Sequence, residues 1–215
     1  MNAGYMMLWI LMITMVLMAT GWKEQIVPDV SWRKVVLFGA AMALSFISSQ
    51  WFSPFKGIIQ LDIHVSIFLM LTFAALSLYE GKSRGSYIGY LLLCILMVSV
   101  IWGIVRRMYS YDPVFYWIDP SWDAPLLAGL FCGAFVSQAK QQFAMIAWGA
   151  VLGETIYAAM LHWSSTTYIG QLNWWDSFWL ALAAARVFSL LLKGIRLGGL
   201  KLNDMLGQIR GGRSS

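Results

Sequence analysis

Seven stretches of this chain are long, apolar and almost free of charge, and a soluble domain cannot bury so many of them at once. They are residues 5–22, 35–52, 63–79, 87–105, 124–139, 143–161 and 177–192, each between 16 and 19 residues long. A helix needs about 17–25 such residues to cross the hydrocarbon core of a bilayer. In lipid every backbone N–H and C=O must pair within its own segment, which leaves the helix as the natural conformer for such runs. The expected fold is therefore all-α, a polytopic transmembrane helical bundle of seven spans. The fifth and seventh spans are short enough to require little tilt or a locally thinned bilayer. Composition agrees: of 215 residues 60% are hydrophobic and 12% charged, which is outside the range of soluble domains. Residues 1–192 read as the bundle and 193–215 as a basic, partly amphipathic tail. The first stretch lacks a basic leading region and a clear small-x-small cleavage site, so it reads as a span and not as a removable signal.

The net charge of +5 would fit nucleic acid if the bases were gathered on one surface. They flank the apolar runs instead, so the bilayer is the expected partner and nucleic acid is not. With the N-terminus outside, the cytoplasmic side receives Lys23, Arg33, Lys34, Lys82, Arg84, Lys140, Lys193, Arg196, Lys201, Arg210 and Arg213, and the outside only Lys56, Arg106 and Arg107. That asymmetry predicts N-terminus out and C-terminus in. Trp22, Trp51, Tyr79, Trp117, Trp163, Trp174 and Trp175 cluster at span ends and read as interfacial anchors. The one long connection, residues 106–123 (RRMYSYDPVFYWIDPSWD), reads as an aromatic cover lying over the outer helix ends. In the tail, Leu202, Met205, Leu206 and Ile209 recur at helical spacing with bases nearby, which suits an amphipathic helix on an anionic leaflet.

Glu154 and Arg186 are the only formal charges well inside the spans, and they are the candidate functional residues. An unpaired charge at a helix centre costs about 2.5–3.5 kcal/mol on insertion scales. Glu154 lies seven residues before Leu161 and Arg186 eight after Phe178, so the two are expected at matching depth on antiparallel neighbours, as an intramembrane ion pair. The rival reading makes Glu154, with Tyr157, a proton or cation site.

Two GxxxG patterns, Gly129 with Gly133 and Gly149 with Gly153, open grooves where helix backbones approach closely. They are expected to pack the fifth span on the sixth, with homodimerisation as the alternative. Ser45, Ser48, Ser49 and Gln50 read as interhelical hydrogen-bonding groups. Asp62, Asp123 and Asp176 each precede an expected helix and read as N-caps. His64 and His162 have no spacing suited to a metal, so no metal site is expected, nor any cofactor. Cys94 and Cys132 lie in apolar runs, where burial suppresses the thiolate and leaves the thiol inert. HExxH, GxSxG, a P-loop and GxGxxG after a strand are all absent, so no catalytic residue is assigned and an enzyme is not expected. All five prolines fall in loops or a first helical turn. The spans therefore lack the broken helices on which many secondary transporters bind substrate.

The opening MNAGYMMLWILMITMVLMATGWKE, the basic turn SWRKVVLF and the segment WDAPLLAGLFCGAFVSQAKQQFAMIAWGAVLGE resemble the YphA-like membrane proteins of spore-forming Bacillales. The resemblance extends over most of the chain and implies the bacterial cytoplasmic membrane and a sporulation setting. It carries over no catalytic or binding residue. The functional expectation is a structural or interaction component that supports another membrane process, with another membrane protein or a second copy as partner. The alternative is a small-solute or proton-coupled transporter centred on Glu154.

Overall fold

The computed structural model describes residues 2–48, 50–53, 61–79, 85–111, 117–161 and 166–211, and of residues 79, 85, 86 and 200–211 the backbone alone. The chain opens with α1 (Tyr5–Leu17), which passes through a π-helical turn (Met18–Trp22) into the short α2 (Lys23–Ile26). Gly21 sits in that turn at φ 94°, a left-handed conformation that glycine adopts without strain, and it bends the rod there. Then come α3 (Trp32–Ile47), β1 (Trp51–Phe52), β2 (Leu61–His64), α4 (Val65–Tyr79), α5 (Gly85–Tyr111), α6 (Asp123–Phe135), α7 (Ala139–Met160), β3 (Thr167–Ile169) and α8 (Leu172–Gly211).

Each expected span contains a helix, but the lengths are unequal. Among the described residues four helices are long and apolar enough to cross a membrane: Tyr5–Ile26, Tyr87–Tyr111, Ala139–Met160 and Leu172–Gly199. Two further apolar helices, Val65–Leu78 and Asp123–Phe135, are shorter. The last helix starts at Leu172, five residues before the expected boundary, and runs through Leu192 into the tail without a break. Its hydrogen-bonded backbone carries on to Gly211 despite Gly198 and Gly199.

The fold is mostly helical, as expected, and adds to the helices a small three-stranded sheet in the order β1-β2-β3 that the all-α reading did not include. β2 pairs antiparallel with β1, Trp51 opposite His64, and parallel with β3, Leu61 opposite Thr167 and Ile63 opposite Ile169. Trp51 and Phe52, read as the end of the second span, are strand residues. The aromatic and β-branched residues of WF, LDIH and TYI suit a half-buried pleated surface, and their hydrogen bonds run between segments distant in sequence, which helix periodicity does not reveal. Gly170 turns the chain from β3 into α8 at φ 104°, and a Cβ there would come within 2.7 Å of the His64 Cβ. His64 accepts at Nδ1 from the Ser66 amide at 3.3 Å and donates from Nε2 to the Ser48 carbonyl at 2.8 Å. The carbonyl partner requires a proton on Nε2, and the two contacts tie the end of α3 to the start of α4.

α7 lies at the centre: 56% of the residues in its apolar stretch are buried, against 6% for Tyr5–Ile26, which presents its apolar side chains outward. An aromatic core joins four helices. Phe38 of α3 meets Phe73 of α4 and Phe143 of α7, Phe143 meets Phe178 of α8, and Phe46 of α3 meets Trp175 of α8. Trp174 stacks on Phe178 with planes 10° apart. Trp174 and Trp175, expected as interfacial anchors, are thus buried core residues at 4% and 0% exposure. Trp22, Trp51 and Trp117 stay exposed, while Tyr79 and Trp163 lie outside the described side chains.

The acidic residues read as N-caps of their own helices act across the structure instead. Asp176 lies in the second turn of α8, where its carboxylate accepts from the amides of Gly4 and Met7, both at 2.7 Å, and so caps α1. Asp123 turns back to the preceding loop and accepts from Trp117 at 2.6 Å and Ile118 at 3.1 Å. Asp62 lies in β2 and accepts from the Ser53 hydroxyl. The cap at α1 carries a prediction. Asp176→Ala leaves two amides of the first turn without their acceptor and is expected to destabilise the protein by about 1–2 kcal/mol in denaturation from detergent. Asp176→Asn keeps one acceptor oxygen and is expected to lose less.

Candidate functional site

The paired glycines bring the site's helices together, in a different pairing from the expected one. Val98 of α5 lies against Gly149 of α7 and Trp102 against Gly153, where an added Cβ would fall 2.7 Å from either side chain. Gly129 of α6 lies against the Ala181 carbonyl of α8, and Gly133 against that of Ala185, where a Cβ would sit 2.5 Å from the oxygen. In both pairs the residue numbers rise together, so α5 runs parallel to α7 and α6 parallel to α8. Each GxxxG groove therefore holds the helix two along the chain, and the expectation that the two motifs pack the fifth and sixth spans together is corrected. A sequence signal for the partners existed in Ala181 and Ala185, small residues four apart.

Against this scaffold Glu154 is almost completely buried, at 1% exposure, and faces α5. Its Oε1 accepts from the Trp102 indole N–H at 3.2 Å and pairs with the Arg106 guanidinium. The Arg106 guanidinium carbon also sits 5.2 Å from the centre of the Tyr157 ring, a cation–π contact from the same face of α7. Trp102 and Arg106 are one turn apart on α5, and Glu154 and Tyr157 are one turn apart on α7. Gly153 allows the Trp102 side chain to approach α7 closely and its indole to reach the carboxylate. Arg106 is the less enclosed partner, with 39% of its side chain exposed, so the pair joins a buried acid to a base at the edge of the bundle. The next base, Arg107, turns away to stack on Tyr111, 3.9 Å from the ring centre.

Arg186 does not reach Glu154. Its Nη1 donates to the Ser137 carbonyl at 2.9 Å and to Gln142 Oε1 at 3.5 Å, and its Nη2 donates to the Gln25 carbonyl at 3.0 Å. Gln142 is fully buried, and its amide donates to the Val136 carbonyl at 2.6 Å. Asp29 accepts from the Ala139 amide at 3.1 Å, beside the same turn. Arg186 is therefore a strap that binds the end of α2, the α6–α7 turn and the first turn of α7 to α8. Gln142 and Glu154 are twelve residues apart on α7, about 18 Å along its axis, so the two charges lie near opposite ends of the helix. The expected Glu154–Arg186 pair is replaced by Glu154–Arg106 for a simple reason of axial offset. Starting α8 at Leu172 places Arg186 about 21 Å from its N-terminus, while Glu154 is about 9 Å from the end of α7. Arg106 belongs to α5 and not to the outside loop expected for it, because the helix continues to Tyr111 although the apolar run ends at Val105.

The remaining sequence candidates divide between packing and the sheet. Ser45 donates to the Met42 carbonyl at 2.7 Å within its own helix, and the Ser48 carbonyl holds His64. Cys94 and Cys132 are buried, and the Cys132 thiol faces the Gln142 carbonyl at 3.8 Å. Among the described residues no three His, Cys, Asp or Glu side chains gather as metal ligands. His162, Ser49 and residues 112–116 of the aromatic loop lie outside the described residues.

No curated protein and no solved structure matches the chain. A family comparison matches residues 3–205, the whole bundle and most of the extension of α8. A helical, apolar scaffold whose internal charges are satisfied by its own helices agrees with that match, and the chain belongs to the YphA-like integral membrane protein family.

Proposed function

We propose that this chain is an architectural component of the bacterial cytoplasmic membrane, crossing it seven times with its N-terminus outside, and that it supports another membrane process by contact and not by chemistry. The observation that carries this reading is the fate of its two intramembrane charges. Glu154 binds α7 to α5, and Arg186 binds α8 to α2, α7 and the α6–α7 turn, so each charged group serves as a tie between helices. The parallel pairing of α5 with α7 and of α6 with α8 is the arrangement that alternating spans require, and the excess of Lys and Arg on one side supports the orientation. The partner is another membrane protein or a second copy of the chain, meeting the bundle through its outward apolar surface.

A second reading has one observation in its favour. Arg106 is partly exposed while Glu154 is buried, so the carboxylate has a neighbour in contact with the outside, as a proton- or solute-coupled carrier would need. Reconstitution into proteoliposomes separates the two. The architectural reading predicts proton and solute flux at the level of protein-free vesicles, unchanged by Glu154→Gln, together with a stable partner captured by crosslinking in native membranes. Flux above that level, abolished by Glu154→Gln, would sink it and establish the carrier.

A further inference from the structure

Phe46 of α3, Trp51 of β1 and His64 of β2 stand around a cavity of about 470 Å³ that the start of α8 closes from the other side. That volume lies within the range of small-molecule sites, about 300–1,000 Å³. The rings are held from behind. Trp51 meets His64 with centroids 5.1 Å apart and Tyr168 of β3 at 5.8 Å, edge to face in both cases. Phe46 lies 5.4 Å from the Trp175 ring and within 21° of parallel to His64. Both nitrogens of His64 are taken by the protein, Nε2 by the Ser48 carbonyl and Nδ1 by Ser66, so what His64 offers a ligand is ring surface.

The polar side of the cavity is Gln171 and Asn173, either side of Leu172 where α8 begins. Both are exposed, and among the described residues neither side-chain amide has a hydrogen-bond partner. Each amide holds two donors and an acceptor. No Asp, Glu, Lys or Arg is among the described residues that line the cavity, so an ion bound there would lose hydration without a counter-charge. A quaternary ammonium ion could use the rings, but it neither donates nor accepts hydrogen bonds and would leave the amides idle. The sheet keeps the cavity out of the hydrocarbon. β1 and β3 are its edges, and the outer backbone groups of edge strands cannot stay open in lipid. The sheet therefore lies at the membrane surface, on the side where α1 and α8 begin.

We infer that this cavity binds a neutral sugar ring. A pyranose with equatorial hydroxyls has faces made of axial C–H bonds, whose weakly positive hydrogens suit the negative face of an aromatic ring. Its rim of hydroxyls both donates and accepts, and two free amides match that rim. Trp51 and Phe46, 42% and 38% exposed, supply the stacking faces, and Gln171 and Asn173 the rim contacts. Such a site adds a ligand to the architectural role proposed above and does not depend on it.

The test is saturation-transfer NMR on the full-length protein in nanodiscs of phosphatidylethanolamine and phosphatidylglycerol, prepared without glycoside detergent. Methyl β-D-glucopyranoside is the probe. Its axial ring hydrogens are expected to receive several-fold more saturation than its methoxy group. Gln171→Ala combined with Asn173→Ala is expected to cut the signal several-fold and leave the unfolding midpoint in place, because the backbone carbonyls of both residues, which accept from Trp175 and Ser177, are untouched. Trp51→Leu is expected to abolish the signal, and the amide variant decides the matter should Trp51→Leu fail to fold. Transfer no greater than with empty discs, or undiminished in the amide variant, would overturn the site. Displacement by choline chloride would overturn its choice of a neutral ring. Displacement by glucosyl diacylglycerol built into the discs would make the sugar a lipid headgroup, and retention of the probe would make it a soluble one.

Discussion

Arg106→Gln is expected to destabilise the bundle by about 3 kcal/mol, and adding Glu154→Gln is expected to restore most of that loss. The carboxylate is 1% exposed and cannot recover water when its partner is removed. The single variant therefore leaves an uncompensated buried charge, which is the costly way to break an ion pair. Neutralising both members removes the need for compensation and leaves Trp102 able to donate to the amide oxygen of residue 154. Denaturant or thermal unfolding of the purified protein in detergent, run as a double-mutant cycle, measures the coupling. The same cycle with Arg186→Gln in place of Arg106→Gln is expected to be additive, because Arg186 and Glu154 lie near opposite ends of α7. Additivity in the first cycle with coupling in the second would refute the pairing of Glu154 with Arg106.

The second large effect belongs to α6. Gly129 and Gly133 lie against backbone carbonyls of α8, and backbone cannot swing aside as a side chain can. Gly133→Leu is expected to force α6 off α8 and cost about 3 kcal/mol or more, the upper end of what overpacking does in a close-packed interior; Gly133→Ala falls between that and the parent. Gly89→Ala provides the control. It also sits inside a helix, α5, but an added Cβ meets nothing within 4 Å, so the gain in helix propensity is expected to stabilise by about 0.5–1 kcal/mol. If Gly133→Ala and Gly89→Ala change stability by the same amount in detergent unfolding, the close approach of α6 to α8 is wrong.

Part of the candidate site is legible in the amino-acid sequence. Glu154 stands out because a carboxylate inside an apolar run must find a partner, and the GxxxG pairs stand out because small residues four apart leave a groove. The partners are not legible there. Arg106 follows Val105, where the apolar run stops, and helix α5 continues for six more residues whose polar side chains look like loop. The strands are hidden for a related reason. Trp51, Phe52 and Ile63 are as apolar as the spans beside them, and only the pairing of β1 with β2, and of β2 with Thr167–Ile169 over a hundred residues away, makes them a sheet. Trp174 and Trp175 have the composition of interfacial anchors, yet they lie between Phe46 and Phe178.

The amino-acid sequence by itself determined that this protein lives in a membrane, that its segments are helical, and that a charged residue within them must be compensated. Each of those follows from a local requirement, since apolar length and internal backbone hydrogen bonding are properties of one segment in its solvent. Only the tertiary structure decided which helices touch and which charges meet. Those depend on the rotation and axial offset of helices far apart in sequence. A shift of five residues in one boundary moves a side chain by about 7 Å, more than the reach of a hydrogen bond. That offset is why Glu154 bonds to Arg106 while Arg186 straps the opposite end of the bundle.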